Sequence, residues 1–358
     1  MVTDALWTDF DHDGKTDLVL AGEWMPITFL KNTGSSLVEI ESGIEKRSGW
    51  WNSLVAGDFD NDGDMDYVAG NLGLNTNYTA SPTEPMTIIA KDLDKNGSLD
   101  AMVFCYMKGD DGNRKAFPIV SRDDLVGQII SMRKKFPTYQ SYGLASMDDI
   151  WSETDKENAI ILQSTEMRTS FIENKGNGKF EMRPLPLKAQ EAPVYGMLAN
   201  DIDNDGNLDL LLVGNDYGMD PYSGRHDAFN GLCLTGDGSG NFNAMPPAKT
   251  GFHVPGDAKG LAQLYTAKNE AVLIATQNQD DLLIFGSNEP DPKRIDGWVD
   301  LEADDFSAEI IYKDGRKKRL EFYYGSTYMS QSSRKLPIEK DMAQITIINY
   351  KGDKRNVL

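Results

Sequence analysis

Four stretches of this chain set a carboxylate or an asparagine at alternate residues of a nine-residue run, with glycine sixth and aspartate ninth. They read Asp9-Phe-Asp11-His-Asp13-Gly14-Lys15-Thr-Asp17, Asp58-Phe-Asp60-Asn-Asp62-Gly63-Asp64-Met-Asp66, Asp92-Leu-Asp94-Lys-Asn96-Gly97-Ser98-Leu-Asp100 and Asp201-Ile-Asp203-Asn-Asp205-Gly206-Asn207-Leu-Asp209. Alternate carboxylates on a tightly turned chain converge on one centre, and a hard cation such as Ca²⁺ takes roughly six to eight oxygens. Glycine permits the sharp reversal. The seventh residue is placed to add its backbone carbonyl, as in related loops. A lone acidic turn is common without metal, whereas four copies in one register point to a repeated cation cage.

The residues that follow each loop say what positions it. An EF-hand needs a glutamate at its twelfth position and a helix on either side. Here apolar, β-rich runs begin at once: Leu18-Val-Leu20, Tyr67-Val-Ala69, Ala101-Met-Val-Phe104 and Leu210-Leu-Leu-Val213. These loops therefore join strands. A unit recurs along the chain, consisting of a strand, the loop, an apolar strand, and a strand ending in Asn and Gly before a short strand near Phe. The stretches 169–180 and 231–242 keep the hairpin end of the unit without the acidic loop. Units of this size with about four short strands are the mark of propeller blades. Six can be counted, at about 1–46, 47–84, 85–120, 155–190, 191–250 and 251–288.

Between the third and fourth units the apolar period lengthens. Ser121-Arg-Asp-Asp124 resembles a capping box, Leu125, Ile129, Met132 and Phe136 follow at helical spacing, and Pro137 ends the run. A small helical insertion at about 121–151 is expected, its stripe packed on neighbouring strands. From about 291 the pattern changes to strands joined by tight turns, a small antiparallel β domain over 291–358. The boundary falls near Pro290-Asp-Pro292, and because every acidic loop precedes residue 210 this domain is expected to be separable from a propeller over 1–290.

The chain has 358 residues, of which 40% are hydrophobic, enough for a large core. Its formal charge of -20 argues against a phosphate-binding face and hence against nucleic acid as partner. No apolar run is long enough to span a membrane. Met1 to Asp9 enters the first unit without a basic or apolar leader, so an export signal is expected upstream of this sequence. Cys105 and Cys233 lie in separate apolar strand patterns and read as buried thiols.

On these loops and their flanking strands the chain resembles FG-GAP or VCBS repeats, the units of the integrin α-chain propeller. The stretch Tyr324-Gly-Ser-Thr-Tyr-Met-Ser-Gln-Ser-Ser-Arg334 is similar to the ASPIC and UnbV domain of cartilage-acidic-protein-like bacterial proteins. The resemblance implies an all-β, seven-bladed, calcium-binding propeller at the surface or envelope of a Bacteroidetes-like bacterium, one blade more than the six units counted. It also implies the ligands. These are Asp9, Asp11, Asp13, Asp17 and the Lys15 carbonyl; then Asp58, Asp60, Asp62, Asp66 and the Asp64 carbonyl. The third set is Asp92, Asp94, Asn96, Asp100 and the Ser98 carbonyl, and the fourth Asp201, Asp203, Asp205, Asp209 and the Asn207 carbonyl. Up to four Ca²⁺ ions are implied, with the third site weakest because Asn96 is neutral.

Catalytic groups outside the loops are sparse. His12, His226 and His253 stand apart, and no nucleophile elbow, zinc spacing or phosphate-cradling glycine loop is present. The reading is a binding or adhesion module for a glycan or protein, with a propeller-borne glycosidase or lyase as the alternative. The candidate binding face carries Trp50-Trp51, Asn71 to Tyr78 and Asn215 to His226, since loops held by a rigid scaffold are where recognition usually lives. Trp50 and Trp51 are expected to fill gaps between blades.

Overall fold

Strands form at short apolar, β-rich runs, of which Ser53–Gly57, Asp66–Gly70 and Asp209–Gly214 are buried along their whole length, and they break at glycine, asparagine and aspartate. The computed structural model describes residues 1–221, 223–286 and 295–358. The first sheet is an antiparallel meander of β1 (Val2–Thr8), β2 (Asp17–Pro26), β3 (Thr28–Asn32) and β4 (Leu37–Glu39), with β5 (Ser48–Trp50) added against the far end of β2. β6 (Ser53–Gly57) and β7 (Asp66–Gly70) begin the second sheet.

The chain then leaves that sheet. β8 (Met86–Lys91), β9 (Asp100–Lys108) and β10 (Arg114–Pro118) form a separate sheet, covered by α1 (Arg122–Gln128), α2 (Met132–Lys135) and further single helical turns up to Lys156. β11 (Ile160–Ser164) completes it by pairing with β8. Only then do β12 (Ser170–Asn174) and β13 (Phe180–Pro184) return to finish the second sheet, β12 pairing directly with β7. Leu125, Ile129, Met132 and Phe136 are buried against Ile89, Met102 and Phe104, so the helical stripe packs on its own sheet.

The third sheet is the uninterrupted meander β14 (Val194–Asn200), β15 (Asp209–Gly214), β16 (Leu232–Gly236) and β17 (Phe242–Met245). The fourth, among the described residues, has three strands, β18 (Ala258–Tyr265), β19 (Ala271–Gln277) and β20 (Leu283–Gly286). First strands lie side by side, β1 by β6, β6 by β14 and β14 by β18, with a hydrophobic cluster between each pair of sheets. The chain is all-β, built of blade-like meanders.

The sheets correct the division into six successive units. Within 47–84 and 155–190, β6 with β7 and β12 with β13 are two halves of one sheet, whereas β5 joins the first sheet and β11 joins β8 to β10 in an insertion within it. Local patterning identifies a strand but not its partner, and here the partners lie about a hundred residues apart.

The terminal residues make a four-stranded sheet from β22 (Asp305–Tyr312), β23 (Lys317–Glu321), β25 (Met342–Asn349) and β26 (Lys354–Asn356), plus the pair β21 (Ile295–Asp300) and β24 (Lys335–Glu339). The expected junction Pro290-Asp-Pro292 lies outside the described residues. The serine-rich stretch 324–334 runs along β14 and β18 and meets them largely with hydroxyls. Met197 N–H donates to Thr327 Oγ1, Leu261 N–H to Ser330 Oγ and Gln263 N–H to Ser332 Oγ, each at 3.1 Å. These contacts argue against a freely separable terminal domain.

Candidate metal centres

Each acidic loop is folded by its own side chains. The fifth residue donates its N–H to the third residue's carboxylate at 3.2 Å in all four copies (Asp13 to Asp11, Asp62 to Asp60, Asn96 to Asp94, Asp205 to Asp203). The seventh residue, Lys15, Asp64, Ser98 or Asn207, donates its N–H to the fifth side chain at 2.8–2.9 Å. The fourth residue takes a left-handed φ, 59° at His12 and Asn61, 61° at Lys95 and 63° at Asn204. Such local side-chain bonds replace a helix or ladder and turn the chain within a few residues.

The ninth aspartate ties the loop to the sheet. Asp66 Oδ2 accepts from Phe59 N–H at 3.1 Å and its Oδ1 from Asn174 N–H at 2.8 Å, fastening loop, β7 and β12 together. Asp209 does the same with Ile202 and Gly236, and Asp17 accepts from Asn32. Asp100 has the inward bond from Leu93 at 2.8 Å, but β10 stops short of the loop and gives it no third-strand partner.

In each loop three carboxylates bring one oxygen apiece within 4.8 Å of one another: Asp9, Asp11 and Asp13; Asp58, Asp60 and Asp62; Asp92, Asp94 and Asp100; Asp201, Asp203 and Asp209. Asp9 Oδ1, Asp17 Oδ2 and Asp58 Oδ1 are buried without a hydrogen-bond partner. A buried, unpaired carboxylate oxygen is costly unless a cation or proton meets it. This donor set, all oxygen and strongly anionic, fits a hard divalent cation.

Electrostatics agree. Burial, partly offset by the Asn32 N–H and reinforced by Asp11, Asp9 and Asp13, raises the Asp17 carboxyl to about 7. Burial raises Asp66 to about 8, and burial with the Asp62 charge raises Asp60 to about 6. Asp58 and Asp209 are also raised, chiefly by burial. Burial also acts upward on Asp13, but hydrogen bonds from Lys15, the Lys15 charge and Lys31 outweigh it and hold that carboxyl below its usual value.

Three loops sit close together. His12 Nδ1 of the first lies 3.5 Å from Asp64 Oδ1 of the second, and Asn61 Nδ2 donates to Asn207 Oδ1 of the fourth at 2.9 Å. The third loop joins β8 to β9 in the inserted sheet.

Motif reading did not find the partners outside the loops. Lys31 on β3 bonds Asp11 and stands 3.4 Å from Asp13 Oδ2, while Lys15 Nζ donates to Asp13 at 3.1 Å. Arg319 Nη2 on β23 donates to Asp9 Oδ2 at 2.8 Å. Beside it the buried Glu321 accepts from Asp9 N–H at 3.2 Å, Thr8 Oγ1 at 2.8 Å and Tyr323 OH at 2.9 Å. Arg319 and Glu321 stand about three hundred residues from the first loop, and no local signal marks them.

At the opposite end of the same strands lie the aromatic loops. Trp51 is fully buried. Trp50 is half-buried, 5.2 Å from Trp24 and 5.5 Å from Tyr78 between ring centroids, with its indole N–H unpartnered. Tyr78 OH and Ser223 Oγ are 2.7 Å apart, joining two of the three expected loops, and Arg225 stacks over Tyr217. Tyr222 lies outside the described residues. Among the described residues no helix is long and apolar enough to cross a membrane.

No curated protein matches the chain. Over residues 9–69, which hold the first two acidic loops, the chain is similar to the FG-GAP-like repeat.

Proposed function

We propose that this protein is an exported, calcium-stabilised binding module of the β-propeller type, whose acidic loops hold Ca²⁺ and whose aromatic loop face takes a glycan or protein ligand. The observation that carries the reading is the set of buried, unpartnered oxygens on Asp9, Asp17 and Asp58, each within a converging aspartate group or beside one. The ligands are those of the four loops, with the carbonyls of Lys15, Asp64, Ser98 and Asn207 as the seventh-position donors. The FG-GAP-like match over 9–69 supports both the repeat and the calcium, and stretch 324–334 favours a terminal domain of the ASPIC and UnbV type. A ligand face at Trp24, Trp50, Tyr78 and Tyr217 suits stacking on sugar rings or peptide groups.

Two measurements test it. Melting in chelator and in millimolar Ca²⁺ should differ, because a ligand that binds only the folded state adds RT ln(1 + [L]/Kd), about 1.4 kcal/mol per site at ten times Kd. Coincident curves sink the calcium reading. A glycan and protein array probed with calcium-loaded protein should give hits that a Trp50→Ala, Tyr78→Ala double variant loses. Release of product from a hit would replace the module with an enzyme.

A further inference from the structure

The meandering sheets share a register that allows the loops to be compared residue by residue. In each, one N–H of the third strand caps Oδ1 of the loop's ninth aspartate: Asn32 on Asp17 at 2.7 Å, Asn174 on Asp66 at 2.8 Å and Gly236 on Asp209 at 3.0 Å. The residue immediately before that cap is therefore equivalent in all three sheets. It is Lys31 in the first, Glu173 in the second and Thr235 in the fourth loop's sheet.

These three residues differ in charge. The Lys31 ammonium reaches the third- and fifth-position carboxylates Asp11 and Asp13. Glu173 adds negative charge near Asp60 but is itself paired with Lys175 and Arg183, which soften its field. Thr235 brings no charge, and its hydroxyl faces the Asn243 carbonyl at 3.5 Å. In the first loop a lysine ammonium from the neighbouring third strand reaches two cage carboxylates, while at the second loop the Lys318 charge, from β23 and not from this repeat position, acts on Asp58.

We propose that Lys31 is a tethered counter-ion that fills the cation position of the first loop and competes with Ca²⁺ for it. The residue at this repeat position thereby sets how far each loop depends on calcium. The competition rests on the calcium reading above; the counter-ion role does not. An ammonium satisfies carboxylates as a point charge with three donors, but it cannot bind them all as a divalent ion does. Calcium entry into the first loop must therefore expel Lys31, which loses those contacts and regains solvent. The first loop keeps its shape without metal, and its site is weaker than the second and fourth.

Lys31→Thr and Thr235→Lys exchange the two environments at positions that are partly exposed, so neither variant disturbs the core. Calcium titration by calorimetry should show the first site weak in the wild type, alongside the third with its neutral Asn96. Lys31→Thr should tighten the first site about tenfold, in the range that groups around a ligand shell command, and Thr235→Lys should weaken the fourth by a similar factor. In chelator, Lys31→Thr should melt below wild type, with millimolar Ca²⁺ restoring it. A Lys31→Thr variant that titrates and melts in chelator like wild type overturns the proposal. If no variant responds to calcium, competition and the calcium reading both fall, and the lower melting of Lys31→Thr in chelator then shows the counter-ion alone.

Discussion

The first and third acidic loops spell the same motif and turn through the same bonds, yet their surroundings are opposite. The first is clasped by Lys31, Lys15 and Arg319, its ninth aspartate is fixed to β3, and Glu321 holds the backbone at Asp9. The third stands on the inserted sheet with a neutral Asn96, and among the described residues Asp100 has no partner on a third strand. Its own Lys95 forms no ion pair among the described residues. A local code thus fixes the turn, while the demand for a cation comes from distant side chains. Motif charge alone puts the third site last; if Lys31 competes with Ca²⁺ as proposed, the contacts at Asp9, Asp11 and Asp13 place the first site below it.

The harshest way to break this comparison is to delete residues 295–358. That removes Arg319 and Glu321 from the first loop and the hydroxyl contacts from β14 and β18, but touches nothing at Asp92 to Asp100. The truncated chain is expected to be insoluble or to aggregate, as read by size-exclusion chromatography. A soluble monomer with the full-length calcium titration would show the terminal sheets to be dispensable.

Thr8→Val is a milder cut at the same place. It takes one donor from the buried Glu321 and a partner from Tyr67, and should lower stability by about 1–3 kcal/mol in denaturant titration, the penalty of a buried group left short of a hydrogen bond. An equivalent change on the third loop, Ser98→Ala, removes an exposed hydroxyl and should stay within about 0.5 kcal/mol.

Calcium removal should separate the loops by hydrogen exchange. Amides of 92–100 should exchange faster in chelator than in Ca²⁺, by a larger factor than those of 9–17, since the first loop has Lys15 and Lys31 to hold its carboxylates together. Equal factors would remove the contrast. Asn96→Asp sharpens it from the other side: restoring a charged ligand should tighten the third site by calorimetry, because affinity follows ligand charge.

Acidity acts on the same carboxyls. Asp17, Asp60 and Asp66 are raised to about 7, 6 and 8, mainly by burial. The cation-free folded state therefore binds more protons than the unfolded chain, and stability falls as pH rises from about 4 to about 8. Melting in chelator should be higher at pH 6 than at pH 8, and saturating Ca²⁺ should flatten the difference. A rise in chelator melting toward pH 8 would contradict the burial of these carboxyls.

What could be read from the sequence follows the range of the forces involved. The loops were legible because Asp side chains bond N–H groups two residues away and a glycine allows the turn, all within nine residues. The helical stripe Leu125 to Phe136 was equally local. Strand partners were not: nothing in Tyr67-Val-Ala69 announces that Phe171 will lie beside it, so one sheet was counted as two units. Lys31 could have been found by aligning third strands on the residue before each cap, whereas Arg319 and Glu321 meet the first loop only through the folded chain.

The interruption of the second sheet also bears on the order of folding. When β6 and β7 have formed, the edge of β7 has no partner until Ser170 arrives, and closing a loop of that length costs entropy that grows with the logarithm of its length. The inserted sheet and helices have their own hydrophobic cluster, from Ile89 to Trp151, and can collapse first. Once folded, that unit brings the chain on either side of it together through the β8–β11 pairing and turns a long flexible loop into a short one. Damage to the core at Met102 or Trp151 would then slow completion of a sheet that contains neither residue.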